Sequence, residues 1–355
     1  MLTRAERVGR GVRRWGLLVL VAIFVMSFTM PPLSADSDKR VVKVMTYNMD
    51  AGTDFLWFFV PGIDLPTAIT LTYQELEATD FHGRAGWLAD RVAAEQPYLV
   101  SLQEVTLFET VTGTGQRVAL LADQLTLLEE ALADRGLHYR VLAVQPLTNV
   151  IVPLAEGAYL RFLDRNVLLA RTDLSQAELA VSNVRSGWYQ ATIELLPGFV
   201  EVNGWLSVDA KIRGKSVRFF ATHLEAASGP LDDTQIRQGQ ELIGLRGQST
   251  LPVILAGDFN SDASGLGIGP DQTPTASMIV GAGYADVWQS LRPGEPGLTW
   301  PLYLEDVFAG PSSPFERIDL IFARGLDFLN VDIVGISNPF PSDHAGVVAT
   351  LRIEK

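Results

Sequence analysis

Leu255-Ala256-Gly257-Asp258-Phe259-Asn260-Ser261 and Ser342-Asp343-His344-Ala345-Gly346-Val347 are the two stretches that decide the fold. Each places acid, amide or imidazole groups directly beside an apolar run, and short apolar runs of this kind are typical of buried strands. Strand ends are where α/β folds carry their chemistry. Because both polar clusters lie just outside such strands, we predict one shared site, rich in carboxylates and containing an imidazole, which suits metal-assisted hydrolysis.

The rest of the chain alternates irregularly between strand-like and helical patterns. Apolar and β-branched runs predict strands over residues 41–47, 98–102, 138–144, 166–170, 205–212, 217–221, 252–256, 318–322 and 347–353. Apolar periodicity and capping residues predict helices over 84–95, 118–135 and from Asp232 or Asp233 to about 245. Since some strands follow each other directly, the pattern indicates an α/β (α+β) domain with mixed sheets covered by helices.

Length and composition indicate one large globular domain over residues 40–355. The chain has 355 residues, of which 47% are hydrophobic and 19% charged, so it can bury a large core. No long Ser/Gly/Pro linker divides these residues. The chain has no cysteine, which excludes disulfides, thiolate metal sites and cysteine nucleophiles.

The first 35 residues have the layout of an export signal. Five arginines precede an uncharged stretch from Trp15 to Met30, and small residues follow it. The uncharged segment is nearly long enough to span a bilayer, so residues 1–35 are either a signal peptide or an N-terminal membrane anchor, with membrane contact through 15–30. Both interpretations place residues 40–355 outside the cytoplasm, secreted or anchored, because the arginines stay inside.

The net charge of −13 limits the class of partner. An acidic surface repels polyanions at long range, which argues against tight, non-specific binding to duplex DNA. The charge does not exclude a small phosphodiester or a lipid headgroup as substrate.

The polar residues that end the predicted strands form an oxygen-rich set with two imidazoles and no sulfur. They are Asn48, Asp50, Glu104, His223, Asp258, Asn260, Asp319, Asp343 and His344. Hard oxygen ligands select Mg²⁺, Mn²⁺ or Ca²⁺ over zinc. A bound cation would polarise a phosphoryl oxygen and stabilise the charge that develops on it.

Six motifs in order give the chain a family resemblance. The motifs TYNMD, LQEV, THLEA, GDFN, RIDLIF and SDHAGV fall within residues 41–349. This series resembles the endonuclease/exonuclease/phosphatase superfamily, which has the deoxyribonuclease-I-like fold. The resemblance implies a four-layer sandwich of two packed mixed β-sheets flanked by helices. It also implies hydrolysis of phosphodiesters or phosphomonoesters with a divalent cation, usually Mg²⁺.

The resemblance also implies residue roles. The implied metal ligands are Glu104, Asn48 beside it, Asp50 in a second acid position, and Asp343. Asp258 is implied to orient or deprotonate the attacking water, and Asn260 to hold the phosphate or that water. His344 is implied to contact phosphoryl oxygens while Asp319 fixes its ring. His223 lies near the leaving group as a general acid or hydrogen-bond donor, and Arg165 is a candidate phosphate ligand.

Each assignment has a simpler structural alternative. Asp258 and Asn260 suit an Asx turn, and Glu104 suits a helix cap. Either histidine fits a structural role, and Arg165 fits an ion pair with Asp164. The aromatic run from Phe55 to Pro61 either packs into the core or forms an apolar wall or membrane-contacting edge at residues 55–60.

The sequence therefore predicts an exported or membrane-anchored, metal-dependent phosphoesterase that acts as a monomer on a phosphodiester. Two alternatives are equally supported, an extracytoplasmic nuclease and a sphingomyelinase-like phospholipase. A non-catalytic binding module is the rival from another class. Its signature would be lost acids, and every expected acid is present.

Overall fold

A computed structural model describes residues 40–354, except 54, 59, 155–156, 197–198, 227–231, 248–249 and 304–312. The predicted signal peptide or anchor in residues 1–35 lies outside the described residues. Among the described residues, every helix is too short or too polar to cross a membrane.

The first sheet carries the N- and C-terminal strands of the described chain at its centre. Its strands are β1 (Val41–Asn48), β2 (Leu99–Gln103), β3 (Leu107–Val111), β4 (Arg117–Asp123), β5 (Tyr139–Pro153), β6 (Tyr159–Arg171), β15 (Leu326–Val334) and β16 (Gly346–Ile353). Their spatial order is β15-β16-β1-β2-β6-β3-β4, and β5 pairs with β6. β1 and β2 run parallel whereas their other neighbours are antiparallel, so the sheet is mixed.

The second sheet is also mixed. Its strands are β7 (Leu179–Trp188), β10 (Gly204–Ile212), β11 (Lys215–His223), β12 (Val253–Asp258), β13 (Ala285–Asp286) and β14 (Asp319–Arg324). They follow the order β13-β14-β12-β11-β10-β7, and β11 runs parallel to β12. The short strands β8 (Ile193–Leu196) and β9 (Phe199–Glu201) form a separate hairpin.

Helices cover the outer face of each sheet. They are α1 (Leu65–Ala78), α2 (Phe81–Glu95), α3 (Gln124–Asp134), α4 (Thr234–Leu245), α5 (Thr275–Gly281) and α6 (Val287–Leu291). Side chains of β1, β10, β11 and β16 contribute to a core between the sheets. Helices α2 and α3 pack against the first sheet and form a second core with it. Helices α4 and α5 pack against the second sheet and form a third core. This arrangement confirms the predicted fold of two packed mixed sheets flanked by helices.

The predicted helix over 118–135 is wrong in its first part. Arg117–Asp123 forms edge strand β4, which pairs antiparallel with β3. The helix begins only at Gln124, where the Asp123 carboxylate caps it by accepting a hydrogen bond from the Leu125 amide. The run Val118-Ala-Leu-Leu-Ala fits either structure by composition, and pairing with β3 decides it in favour of a strand. The prediction also missed helix α1 and strand β3.

Strand register brings polar residues together at one edge of both sheets. His223, Asp258 and Asp319 end or begin three neighbouring strands, and the register pairs His223 with Asp258 and Asp258 with Asp319. In the first sheet, Asn48 pairs with Gln103, immediately before Glu104. The sandwich therefore gathers most of the sequence-predicted site residues at one edge.

Arg317 secures the loops beneath this edge. Its guanidinium is buried and donates to Asp286 Oδ2 at 2.8 Å, to Pro296 O at 3.0 Å and to Ala263 O. Asp286 is also buried, and the pair ties the start of α6 to the segment before β14, while the bond to Ala263 O reaches the loop that follows β12.

We expect Arg317→Met to lower the free energy of unfolding by about 3–5 kcal/mol, since it leaves a buried carboxylate without its cation. Denaturant unfolding measures the change. The matched control is Arg292→Met, whose partner Asp332 is partly exposed, and about 1 kcal/mol or less is expected there. An Arg317→Met protein as stable as the control would refute a structural role for this pair.

Candidate active site

Three side chains converge where the two sheets meet at their polar edge. A ligand atom from each of Glu104, Asp258 and His344 lies within 4.8 Å of the others. The Asn48 amide joins Glu104 to Asp258, because its Nδ2 donates to Glu104 Oε1 at 2.7 Å and to Asp258 Oδ2 at 3.0 Å. The sandwich thus links β1 and β2 of one sheet to β12 of the other through a single side chain.

The backbone is strained at the residues that turn into this cluster. Asp50, Glu104 and Asn260 have φ values of 60°, 52° and 44°, a left-handed conformation that is unusual for glutamate in particular. Such strain persists only where the surroundings over-determine it, and it clusters at functional sites. At Glu104 the carboxylate is fixed by Asn48 and by the Ala51 amide, which donates to Oε2 at 2.7 Å.

His344 is held from two sides. Its Nδ1 lies 2.9 Å from Asp319 Oδ2, and its Nε2 lies 4.0 Å from Asp343 Oδ1. Asp343 in turn accepts from the indole of Trp300 at 2.9 Å and from the Ser342 hydroxyl at 3.2 Å. The imidazole is therefore oriented by carboxylates before any substrate arrives.

His223 approaches the cluster from β11. Its Nε2 lies 3.7 Å from Asp258 Oδ2, 4.0 Å from Glu104 Oε1 and 3.3 Å from the side-chain Nδ2 of Asn260. Asn260 is fixed by the Leu224 carbonyl, to which its Nδ2 donates at 2.8 Å, and its backbone amide donates to Asp258 Oδ1 at 2.9 Å. Asp258 and Asn260 do form an Asx turn, and the same turn aims both side chains into the cluster.

Burial and like charges perturb the ionisation of these groups. Burial raises the pKa of the Asp258 carboxyl above its usual range, and the nearby Asp319 carboxylate adds to the shift. Burial acts to lower the pKa of His344, but Asp319 and Asp343 outweigh it and raise that pKa well above its usual value. Burial likewise acts to lower the pKa of His223, and the Asp258 and Glu104 carboxylates raise it instead.

This donor set fits a divalent cation. Carboxylate and amide oxygens suit Mg²⁺ or Mn²⁺. Within the described residues, Asp319 Oδ1 is buried without a hydrogen-bond partner, and burial raises the pKa of Asp343 to about 7. Both features indicate an excess of buried negative charge, which a cation would neutralise.

The predicted ligands Asp50 and Asp343 do not belong to the three-residue cluster. Asp50 Oδ1 accepts from the Gly52 amide at 2.6 Å, and Oδ2 accepts from the Tyr303 hydroxyl at 2.5 Å and pairs with Arg84 at 3.3 Å. Asp258 and His344, predicted as catalytic residues, take their place beside Glu104. Metal binding by Asp50 and Asp343 stays an untested prediction.

Arg165 faces a different set of partners from the predicted one. Its guanidinium donates to the carbonyls of Val105 and Thr106 and to Asp123 Oδ1 at 2.5 Å. These contacts anchor β4 and the loop after β2, so they favour a structural role over phosphate binding. The neighbouring Asp164 is buried, and its carboxyl interacts electrostatically with His223 and Glu104. Burial raises its pKa to about 7, opposed by His223 and reinforced by Glu104.

The aromatic run after β1 packs inward where it is described. Phe55 lies 4.8 Å from the ring of Phe162, edge to face, and joins a cluster with Phe108 and Phe81. The indole of Trp57 donates to the buried carboxylate of Glu75. These contacts favour the core interpretation of the run, and membrane contact through residues 55–60 stays untested.

Sequence reasoning missed Asp164, Trp300 and Tyr303. Asp164 lies in the middle of β6, directly before Arg165, so a carboxylate within a largely apolar strand was the available signal. Trp300 and Tyr303 lie in a loop with no strand or helix pattern, and only the folded chain brings them against Asp343 and Asp50.

Comparison with known proteins identifies the family of this chain. The sequence model of the Endonuclease/Exonuclease/phosphatase family matches residues 45–344. A search of curated proteins found no match to this sequence.

Several solved structures share the fold. An endonuclease/exonuclease/phosphatase from Beutenbergia cavernae is similar, with a TM-score of 0.57, 24% identity and coverage of 88% of this chain and 72% of that chain. A mannosyl-6-phosphatase from Bacteroides thetaiotaomicron has a TM-score of 0.52 and 17% identity, covering 87% of this chain and 99% of that one. TDP2 from D. rerio, complexed with single strand DNA product, has a TM-score of 0.51 and 14% identity, covering 88% and 98%. With the family match over most of its length, the chain belongs to the Endonuclease/Exonuclease/phosphatase family of phosphoesterase and nuclease hydrolases.

Proposed function

We propose that this chain is a divalent-metal-dependent phosphodiesterase that works outside the cytoplasm. The single observation that carries the proposal is the convergence of Glu104, Asp258 and His344. One ligand atom from each lies within 4.8 Å of the others, and the Asn48 amide joins Glu104 to Asp258. The extracytoplasmic location rests on the basic and apolar layout of residues 1–35.

Glu104 and Asn48 would hold the cation, with Asp258 and His344 at its edge. When bound, Mg²⁺ would supply charge neutralisation to the phosphoryl oxygens. Asp258 accepts the proton of the attacking water, and its raised pKa brings it nearer to the range in which a carboxylate works as a base. Asn260, fixed by the Leu224 carbonyl, orients that water or the phosphate.

His344 serves as a positively charged donor to the phosphoryl group. Asp319 binds Nδ1, which also lies 3.8 Å from Asp258 Oδ2, so the ring keeps one orientation beside the cluster. Because the carboxylates raise its pKa well above the usual value, the ring carries a proton at neutral pH and can stabilise the charge that develops on phosphorus-bound oxygen.

His223 lies on the other side of Asp258 and supplies the proton to the leaving oxygen. The Asp258 and Glu104 carboxylates raise its pKa, which favours the protonated ring that this role needs, and its Nε2 lies 3.7 Å from Asp258 Oδ2. Two imidazoles that flank one carboxylate give the site both an acid and a base, as phosphoester hydrolysis requires.

The substrate class is argued from similar proteins and from charge. TDP2 is seen with a single strand DNA product, and the structure from Bacteroides is a mannosyl-6-phosphatase, so both nucleic acids and small phosphoesters are open to this fold. The net charge of −13 disfavours duplex DNA and leaves a compact phosphodiester, including a lipid headgroup.

A side-by-side assay tests this proposal. Single-stranded DNA, duplex DNA, sphingomyelin vesicles, phosphatidylinositol phosphate vesicles and bis(p-nitrophenyl) phosphate are incubated with the purified full chain and Mg²⁺. We expect hydrolysis of at least one phosphodiester, with duplex DNA the poorest substrate because of like-charge repulsion. Release of phosphate from monoesters alone would overturn the phosphodiester assignment. If none of the substrates is hydrolysed, a non-catalytic binding module would be favoured.

A further inference from the structure

Three residues at the catalytic edge hold left-handed backbone conformations. Asp50, Glu104 and Asn260 have φ values of 60°, 52° and 44°. A residue other than glycine resists this conformation, so it persists only where surrounding contacts over-determine it. The groups that bind the backbone of these three residues therefore contribute directly to the geometry of the site.

One buried glutamine binds the carbonyls of two of these residues. Gln124 is the first residue of α3, and its Nε2 donates to Asp50 O at 2.9 Å and to Glu104 O at 3.2 Å. The same nitrogen donates to Thr106 Oγ1 at 2.7 Å, and that hydroxyl donates to Ala51 O at 3.1 Å. A single side chain thus ties the loop after β1 to the loop after β2.

A second buried glutamine binds the carbonyl of the third residue. Gln235 is the second residue of α4, and its Nε2 donates to Asn260 O. Its Oε1 accepts from the Thr273 hydroxyl, which fixes the orientation of the amide. Both glutamines therefore lie in the first turn of a helix that covers a sheet, and each reaches from that helix to a left-handed residue of the site.

A neutral donor is suited to these positions. The cluster that contains Glu104 and Asp258 holds an excess of buried negative charge, which a cation would neutralise. A further lysine or arginine at either position could bind the same carbonyls, but its charge would oppose the entry of that cation. Arg84 also donates to Asp50 O, and its charge is paired with the Asp50 carboxylate. A glutamine amide holds the backbone without adding charge.

We propose that Gln124 and Gln235 are positioning residues for the reaction. Gln124 sets the backbone of the cation ligand Glu104, and Gln235 sets the backbone of Asn260, which orients the water or the phosphate. Each acts through a backbone carbonyl and not on the substrate. The proposal rests on the proposed metal-dependent phosphodiesterase function and adds the side chains that maintain its geometry.

Hydrogen exchange of the full chain without metal tests the role of Gln124. In Gln124→Met the side chain keeps nearly its length and flexibility and loses its donor. We expect the segment around Ala51, whose amide donates to Glu104 Oε2, to exchange about tenfold faster, as loss of one buried hydrogen bond implies. Segments in the cores should keep their wild-type exchange, because the opening is local.

The same measurement on Gln235→Met tests the second glutamine. The segment around Asn260, whose amide donates to Asp258 Oδ1, should exchange about tenfold faster. The two variants are controls for each other, since each should affect only its own segment. Gln145→Met is the control for both, because Gln145 is buried and its Nε2 donates to Pro146 O at 3.0 Å, outside these loops.

The pattern of exchange decides between positioning and simple packing. Wild-type exchange around Ala51 in Gln124→Met and around Asn260 in Gln235→Met would overturn the proposal. Faster exchange throughout the chain in either variant would also overturn it, because that result indicates a general loss of stability.

Titration with Mn²⁺ tests what the two positions contribute to the site. Gln124→Met should raise the Kd for Mn²⁺ by about 10- to 100-fold, a usual cost of losing a group that orients a metal ligand. Gln235→Met should leave that Kd unchanged and lower kcat on bis(p-nitrophenyl) phosphate by about tenfold or more at saturating Mn²⁺. A wild-type Kd in Gln124→Met would overturn its role. A wild-type chain that binds no Mn²⁺ would instead contradict the proposed function, and hydrogen exchange would still decide whether the glutamines hold the loops.

Discussion

Asp258→Asn is expected to lower kcat by about 10²- to 10⁴-fold, as removal of a general base usually does. Asparagine keeps the size of the side chain and can still accept the Asn260 amide, which donates to Oδ1 in the wild type. The amide cannot take a proton from water. The variant therefore removes the chemistry of this position while it keeps the turn that positions Asn260.

The same variant should have a thermal midpoint close to that of the wild type in excess chelator, because the lost Asn48 hydrogen bond to Oδ2 and the removed charge repulsion act in opposite directions. Burial and the neighbouring Asp319 raise the pKa of Asp258, so its ionised form is disfavoured in the folded state. A neutral amide removes that repulsion, and functional sites often sacrifice stability in this way. The thermal midpoint, measured beside kcat, separates lost chemistry from lost folding.

Asp173→Asn is the control for this pair of measurements. Asp173 is partly exposed and pairs with Arg171 in the turn after β6, outside the cluster. It should leave kcat unchanged. If Asp258→Asn kept kcat within tenfold of the wild type, Asp258 would not be the base, and the cluster would need another assignment.

The sequence predicted which side chains converge better than it predicted the elements around them. Asp258, Asp319 and His223 follow from strand ends, because a short apolar run fixes where a buried strand stops and the register of neighbouring strands then aligns their ends. Local pattern was sufficient there since the information lies within a few residues of each side chain.

Local pattern failed where long-range pairing decides the structure. The segment before Asp123 has helical periodicity, yet it pairs with β3 as an edge strand. Tyr303 touches Asp50 across a sequence separation of 253 residues, which no local signal encodes. Arg165 drew a functional prediction by its charge, whereas the fold turns its guanidinium toward two carbonyls and Asp123.

The most direct test of the account is the rate on bis(p-nitrophenyl) phosphate as a function of free Mg²⁺. We predict a saturable dependence and a loss of about 10³-fold or more in excess chelator, since a bound cation contributes several kcal/mol to such a transition state. Glu104→Gln should shift the curve to higher Mg²⁺, because Glu104 lies in the ligand cluster. A rate that chelator leaves unchanged would contradict the assignment of Glu104 and Asn48 as the residues that hold a required cation.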